Sequence, residues 1–234
     1  FLKTSASPIN ISSVSGGVSN VNSNTSVNIT IALSSAKCAE EYVLVRYTTD
    51  NWSTSSLVTA TGSGTSYSAT IPGMSVNTTV KWYALTSTVS NTTTDIDYLT
   101  LSVMNNSGSN YSYFVGDSNS TDYFRSKTTG NWNSTSNWES SSENLKWVPA
   151  TFVPGSSATA VTILAGHTVN LDINTTISVL TVNNSGLLEV NAAKQLTISS
   201  SLTNNGTLTL KSSSSDGTAT LIPASISGSG SYNV

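Results

Sequence analysis

At 234 residues, 37% hydrophobic and only 9% charged, the chain has room for one large or two ordinary domains and draws little solubility from charge. A net charge of −3 and a pI near 4.9 leave no basic patch to follow a phosphate backbone, so nucleic acid is not an expected partner. There is no run of about 18 apolar residues to span a membrane, and the single cysteine, Cys38, excludes an internal disulfide.

Ser and Thr make up roughly a third of the chain. Combined with regularly spaced Val, Ile and Leu, they favour extended strands over helices. No stretch of good helix formers carries a 3.6-residue period. The expected class is therefore all-β. Cys38 reads as a buried small apolar side chain near a strand end rather than a reactive thiol, since no cationic cluster surrounds it.

In chain order, residues 1–24 are rich in Ser, Asn and Gly and read as a linker or an edge segment. Strand signals then arrive at short intervals. Residues 27–31 alternate with period two. Strands are expected at 42–47, 56–61 and 66–71, and Pro72-Gly73 supplies a turn. Residues 79–85 (TVKWYAL) form the strongest signal of this half, followed by 98–104 and 111–115. Seven short strands with frequent turn signals predict an antiparallel β-sandwich over 25–117.

Residues 42–73 (YVLVRYTTDNWSTSSLVTATGSGTSYSATIPG), followed by TTVKWYALTST, resemble the immunoglobulin-like or fibronectin-III-like modules of secreted bacterial proteins. Residues 105–117 (NNSGSNYSYFVGD) resemble the end of such modules in proteins exported by the type IX system of Bacteroidetes. The resemblance implies an accessory or surface module. Modules of this shape serve many functions, so it does not specify one.

Residues 118–129 are polar without apolar periodicity and are expected to be a linker. A second organised region runs over 130–234. Its order is Gly130-Asn131-Trp132, then Trp138, a loop with Pro149 and Pro154, Val161-Thr162-Ile163, and Gly166-His167-Thr168-Val169-Asn170-Leu171-Asp172. This order resembles the module that precedes β-helical repeats in large bacterial surface proteins. Residues 176–222 then repeat apolar-polar-apolar triplets: Leu180-Thr181-Val182, Leu196-Thr197-Ile198 and Leu208-Thr209-Leu210. Asn-rich corners at 183–186 and 204–206 separate them by about one β-helix coil, roughly 20 residues. Short strands of this kind bury their apolar face only by stacking. A parallel β-helix is expected from Val161 onward, with Leu180, Val182, Leu188, Val190, Leu196, Ile198, Leu208 and Leu210 inward. Trp132, Trp138 and Trp147 are expected to form a cap over its open end, because an uncovered solenoid end would template edge pairing.

Candidate chemistry is sparse. The only histidine, His167, sits at a turn and reads as a structural residue rather than a catalytic base. Asp95 and Asp97 share one face of an extended segment but read as a solvated loop rather than a glycosidase pair. The repeat offers Ser, Thr and Asn where catalytic β-helices carry acids and basic residues. No catalytic residues are therefore assigned, and the chain is not expected to be an enzyme. Asp117, Asn119 and Asp122 hold oxygen donors for a rigidifying calcium ion, without the glycine and terminal glutamate of an EF-hand; no other cofactor is expected. Trp52, in the polar turn Asp50-Asn51-Trp52-Ser53, is the candidate glycan-binding residue, because a pyranose packs against an exposed aromatic face. Asn-x-Ser/Thr sequons are abundant, but in a chain this rich in Asn, Ser and Thr they do not establish glycosylation.

These readings predict a structural or adhesive segment of a large secreted cell-surface protein, acting as stalk, fibre or appendage subunit. The alternative is a non-catalytic carbohydrate-binding accessory region of a secreted polysaccharide-degrading enzyme. The chain starts without an initiator Met or signal peptide and lacks a capping repeat after Ile222, so it is expected to be a piece of a longer, processed protein. Expected partners are neighbouring segments of that chain, second copies reached through the β-helix or by strand exchange, and surface glycans.

Overall fold

The computed structural model describes residues 9–90 and 100–234. The protein is all-β, with 53% of the described residues in strands. Among the described residues the only helical element is a 3-10 turn at Thr135–Asn137. The chain divides into two compact units, Phe1–Gly116 and Asp117–Val234.

The first unit holds two sheets. One is antiparallel, in the order Ile11–Ser15, Val27–Leu33, Ser66–Ile71, Thr61–Ser63. The other runs Val21–Asn22, Tyr111–Gly116, Thr78–Ser87, Tyr42–Thr48, Ser56–Thr59, and Thr100–Met104 also pairs with Thr78–Ser87. Among the described residues only Val21–Asn22 pairs in parallel there. The alternation in Val27–Leu33 explains the packing: Val27, Ile29, Ile31 and Leu33 are buried while Asn28 and Thr30 face out. They meet Val43, Val45, Val80, Trp82 and Ala84 of the other sheet in one core. Trp82 stacks on Tyr111 at 4.5 Å and donates its indole N–H to the Gly17 carbonyl at 2.7 Å.

One expectation changes here, and the linker-or-edge reading of residues 1–24 resolves to an edge. Residues 56–61 are not one strand, because the chain leaves one sheet at Thr59 and joins the other at Thr61. Residues 1–24, read as a linker or edge, contain the edge strand Ile11–Ser15 and the short strand Val21–Asn22. Ile9 and Ile11 lie in the shared core at 3% and 6% exposure. Serines at 12, 13 and 15 mask this signal in sequence, although every second residue may be polar in a half-buried strand.

The second unit contains a parallel β-solenoid of about three turns. The chain climbs through three rows. The first row stacks Tyr123–Ser126, Ala160–Ile163, residues 179–182, residues 201–204 and Ile226–Ser227. The second stacks Gly130–Asn131, Thr168–Leu171, Leu187–Val190, Thr207–Leu210 and Ser231–Asn233. The third stacks residues 175–177, 196–198 and Thr220–Pro223. The long strands Thr175–Val182 and Gln195–Asn204 each serve two rows. Their in-out alternation breaks between residues 177 and 180 and between 198 and 202, where the pairing register shifts.

All neighbouring coils pair in parallel, as the repeat predicts. Leu180, Val182, Leu188, Val190, Leu196, Ile198 and Leu208 are buried at 0–1% exposure, and Leu210 packs half-buried against the same core. Burying each such side chain contributes about 1.5–3 kcal/mol. The three sequence triplets are not equivalent positions, however. Leu180 belongs to the first row, Leu196 to the third and Leu208 to the second. A coil with three strands repeats its apolar pattern three times per turn, so triplet spacing alone misassigns the rows. The coils also lengthen: Leu180 follows its partner Val161 by 19 residues, Leu202 follows Leu180 by 22 and Ile226 follows Leu202 by 24. A hairpin of Ser212–Ser213 with Gly217–Thr218 takes up part of the last increase.

Residues 118–129 are not simply a linker. Tyr123–Ser126 is a strand, paired antiparallel with Trp138–Ser141 and parallel with Ala160–Ile163, and Phe124 is 1% exposed. The coils therefore begin before Val161; residues 132–158 are inserted between the first two layers, and Trp138–Ser141 within them extends the first row at its outer end. One inward phenylalanine is too short a signal for a period.

Asn204 occupies the inward position held by Ile163 and Val182 in the preceding coils and is fully buried. Its amide donates to the Ser231 carbonyl at 3.0 Å and its side-chain oxygen accepts the Gly206 N–H at 3.2 Å. Asn204→Ala should cost about 2–3 kcal/mol, since it strands a buried donor and acceptor. Urea unfolding measures this; a loss under about 0.5 kcal/mol would mean the amide is not clamping the last coil.

Candidate functional site

Trp52 sits on a tightly tied loop after the Tyr42–Thr48 strand. The Asp50 carboxylate accepts the Thr54 N–H at 2.9 Å, the Thr54 hydroxyl at 2.7 Å and the Thr48 hydroxyl at 2.8 Å. The Thr48 hydroxyl in turn accepts the Trp52 N–H at 3.1 Å. These bonds hold Asn51 and Trp52 at φ of 58° and 74°, a region an aromatic residue seldom adopts. Lys81 donates to the Asn51 side-chain oxygen at 2.7 Å. The indole meets Tyr83 at 5.2 Å and 39°. Trp52 is half-buried and packs, with Leu57, against the buried Leu44, Tyr83 and Leu85. The candidate glycan residue thus belongs to an outer apolar cluster of its sheet.

The Thr54 backbone N–H, then the Thr54 and Thr48 hydroxyls, lower the Asp50 pKa from 3.8 to about 2. Because the folded value is depressed, the loop gains stability from this carboxylate above about pH 4 and loses it as pH falls through about 2. The Trp52 indole N–H resonance should move across that window. In Asp50→Asn it should already be displaced at pH 7. An unchanged resonance in both would mean that the carboxylate does not set the loop.

Trp132 and Trp138 are fully buried in the solenoid-side core and meet edge to face at 4.9 Å and 68°. Trp132 donates its indole N–H to the Pro154 carbonyl at 3.0 Å, and Trp138 donates to the Trp132 carbonyl at 2.9 Å. Trp147, expected as a third member, is half-buried and not part of that buried core. Its ring sits 4.4 Å from the Arg125 guanidinium, which pairs with Glu139 at 2.8 Å. A tryptophan six residues after another was legible as a pair; Trp147 packs on the Arg125 guanidinium of the Tyr123–Ser126 strand.

His167 and Ser126 form a contact of 2.9 Å between Nδ1 and Oγ. Ser126 is fully buried, and its hydroxyl also accepts the Leu164 N–H at 2.9 Å. The pair ties two stacked corners, and its oxygen lies out of a substrate's reach. Sequence reading placed His167 at a turn but missed Ser126, 41 residues away. Asp122 is 4% exposed, and its carboxylate accepts the Asn119 N–H at 2.9 Å, closing a local turn. Among the described residues no group of three His, Cys, Asp or Glu side chains could hold a metal ion. Asp95 and Asp97 lie outside the described residues. Cys38 is half-buried, and its N–H donates to the Glu41 carboxylate at 3.0 Å. Among the described residues no helix is long and apolar enough to cross a membrane.

No protein-family model matches the chain, and comparison with curated proteins finds no match.

Proposed function

We propose that the chain is a structural and adhesive segment of a large secreted cell-surface protein, serving as stalk, fibre or appendage subunit. The observation that carries this reading is the use of polar groups in the second unit. Asn204 and the Ser126–His167 pair are committed to holding one coil on the next. Stacked coils of this kind add length, each contacting only its neighbours. In this reading the first unit is an immunoglobulin-like or fibronectin-III-like spacer. Its two largely antiparallel sheets with one core support that kinship. The likeness of residues 105–117 to type IX cargo supports export to the surface. Partners are neighbouring segments of a longer chain, further copies and surface glycans. Immunogold electron microscopy of producing cells tests the reading: label on surface fibres supports it, and label confined to the cell interior overturns it.

The second reading is a non-catalytic carbohydrate-binding accessory region. The Trp52–Tyr83 pair, with Lys81 and Asn51 beside it, favours this reading. A glycan array signal that Trp52→Ala abolishes would select it.

A further inference from the structure

On the second unit an open depression of about 470 Å³ is lined by Gly155, Ser156, Asn174, Thr175, Thr176 and Gln195. Its volume falls in the range of about 300–1,000 Å³ typical of small-ligand sites. Its floor is the start of two stacked strands, Thr175–Val182 and Gln195–Asn204, and residues 155–156 come from the loop before the Ala160–Ile163 strand. None of the six lining residues carries a charge. An anion would find no cation there, and a metal ion no carboxylate.

The hydrogen-bonding capacity left over is mixed. The hydroxyls of Ser156, Thr175 and Thr176 have no hydrogen-bond partner among the described residues, and each can donate and accept. Asn174 uses its side-chain oxygen on the Gln195 N–H at 2.9 Å and keeps its NH2 as a donor. Gln195 uses its NH2 on the Thr197 hydroxyl at 3.1 Å and keeps its oxygen as an acceptor. By contrast, outward hydroxyls of the last coils bond each other, as Thr203 with Ser227 and Thr207 with Ser231, both at 3.1 Å. Phe152, three residues before Gly155, leaves 46% of its surface exposed, an apolar face on the same loop.

We propose that this depression binds an uncharged oligosaccharide. Sugar hydroxyls are donor and acceptor at once, which matches a lining of hydroxyls and amides without charge. The proposal deepens the adhesive reading and rests on it, but places the contact in the solenoid and not at Trp52.

The test is NMR on the full chain with neutral β-1,4 hexaoses of glucose, xylose and N-acetylglucosamine, and with hexagalacturonate as the charged comparison. The expected result is saturation transfer to at least one neutral hexaose, with amide shifts at residues 155–156, 174–176 and 195. Thr176→Ala combined with Gln195→Ala should weaken binding at least tenfold. Ser156→Glu should weaken it too, and Trp52→Ala should leave it unchanged. All three lining side chains are exposed, and circular dichroism checks that the variants fold. Absence of shifts with every neutral sugar, tighter binding of hexagalacturonate, or loss of binding only in Trp52→Ala overturns the proposal. Binding at the depression without surface label would remove the surface reading alone. Surface label without binding would remove this proposal alone.

Discussion

Replacing Trp132 with alanine is expected to destabilise the second unit by about 3–5 kcal/mol, the range for emptying a buried aromatic site. The side chain is wholly buried among Trp138 and the inward residues of the coils. Its indole also satisfies the Pro154 carbonyl, and its own carbonyl receives the Trp138 indole. The substitution therefore removes the edge-to-face contact and unpairs the Pro154 acceptor along with the apolar area. Trp132→Phe should recover part of the loss by refilling volume without restoring the donor. Urea unfolding followed by far-UV circular dichroism measures both. A Trp132→Ala loss under about 1 kcal/mol would show that the two indoles do not support the coils below them.

Gly17→Ala should cost the first unit about 3 kcal/mol, through two separable effects. Gly17 has a φ of 63°, where a side chain costs about 1–2 kcal/mol. A Cβ there would also run into the Ile29 side chain and approach the Trp82 indole nitrogen to 2.7 Å. Overpacking of this kind adds about 1–3 kcal/mol. Gly64 separates the two, because its φ is 59° with nothing near its Cβ position. Gly64→Ala should show the backbone effect alone, at about 1 kcal/mol. Equal losses in both variants would remove the role assigned to Gly17, which is to let the N-terminal segment close on Trp82.

The sites divide along the same physical line as the fold. Trp132 and Trp138 could be read as a buried pair because sequence order carries them together. The loop of Trp52 could be read as a polar turn, but not its packing on Tyr83, 31 residues away in another strand. The depression at 155–156, 174–176 and 195 had no signal in sequence. Its residues are ordinary Ser, Thr, Asn, Gln and Gly, and only coil stacking brings them together.

By itself, the sequence determined what depends on neighbours along the chain. Val27 to Leu33 had to be a half-buried strand because its side chains alternate, and Leu180, Val182, Leu188, Val190, Leu196, Ile198, Leu208 and Leu210 had to face inward in stacked coils. The tertiary structure decided what depends on distant partners. It placed Leu180, Leu196 and Leu208 in three different rows. It turned Asn204 inward where its relatives in the stack are Ile163 and Val182, because the next coil offers the Ser231 carbonyl and the Gly206 N–H lies across the corner. It also made a strand of residues 123–126, which carry one buried aromatic and take their pairing from strands on both sides. Alternation is local and survives in a one-dimensional reading. Pairing across 19 residues or more is set by which coil lies next, and no single stretch of sequence contains that partner.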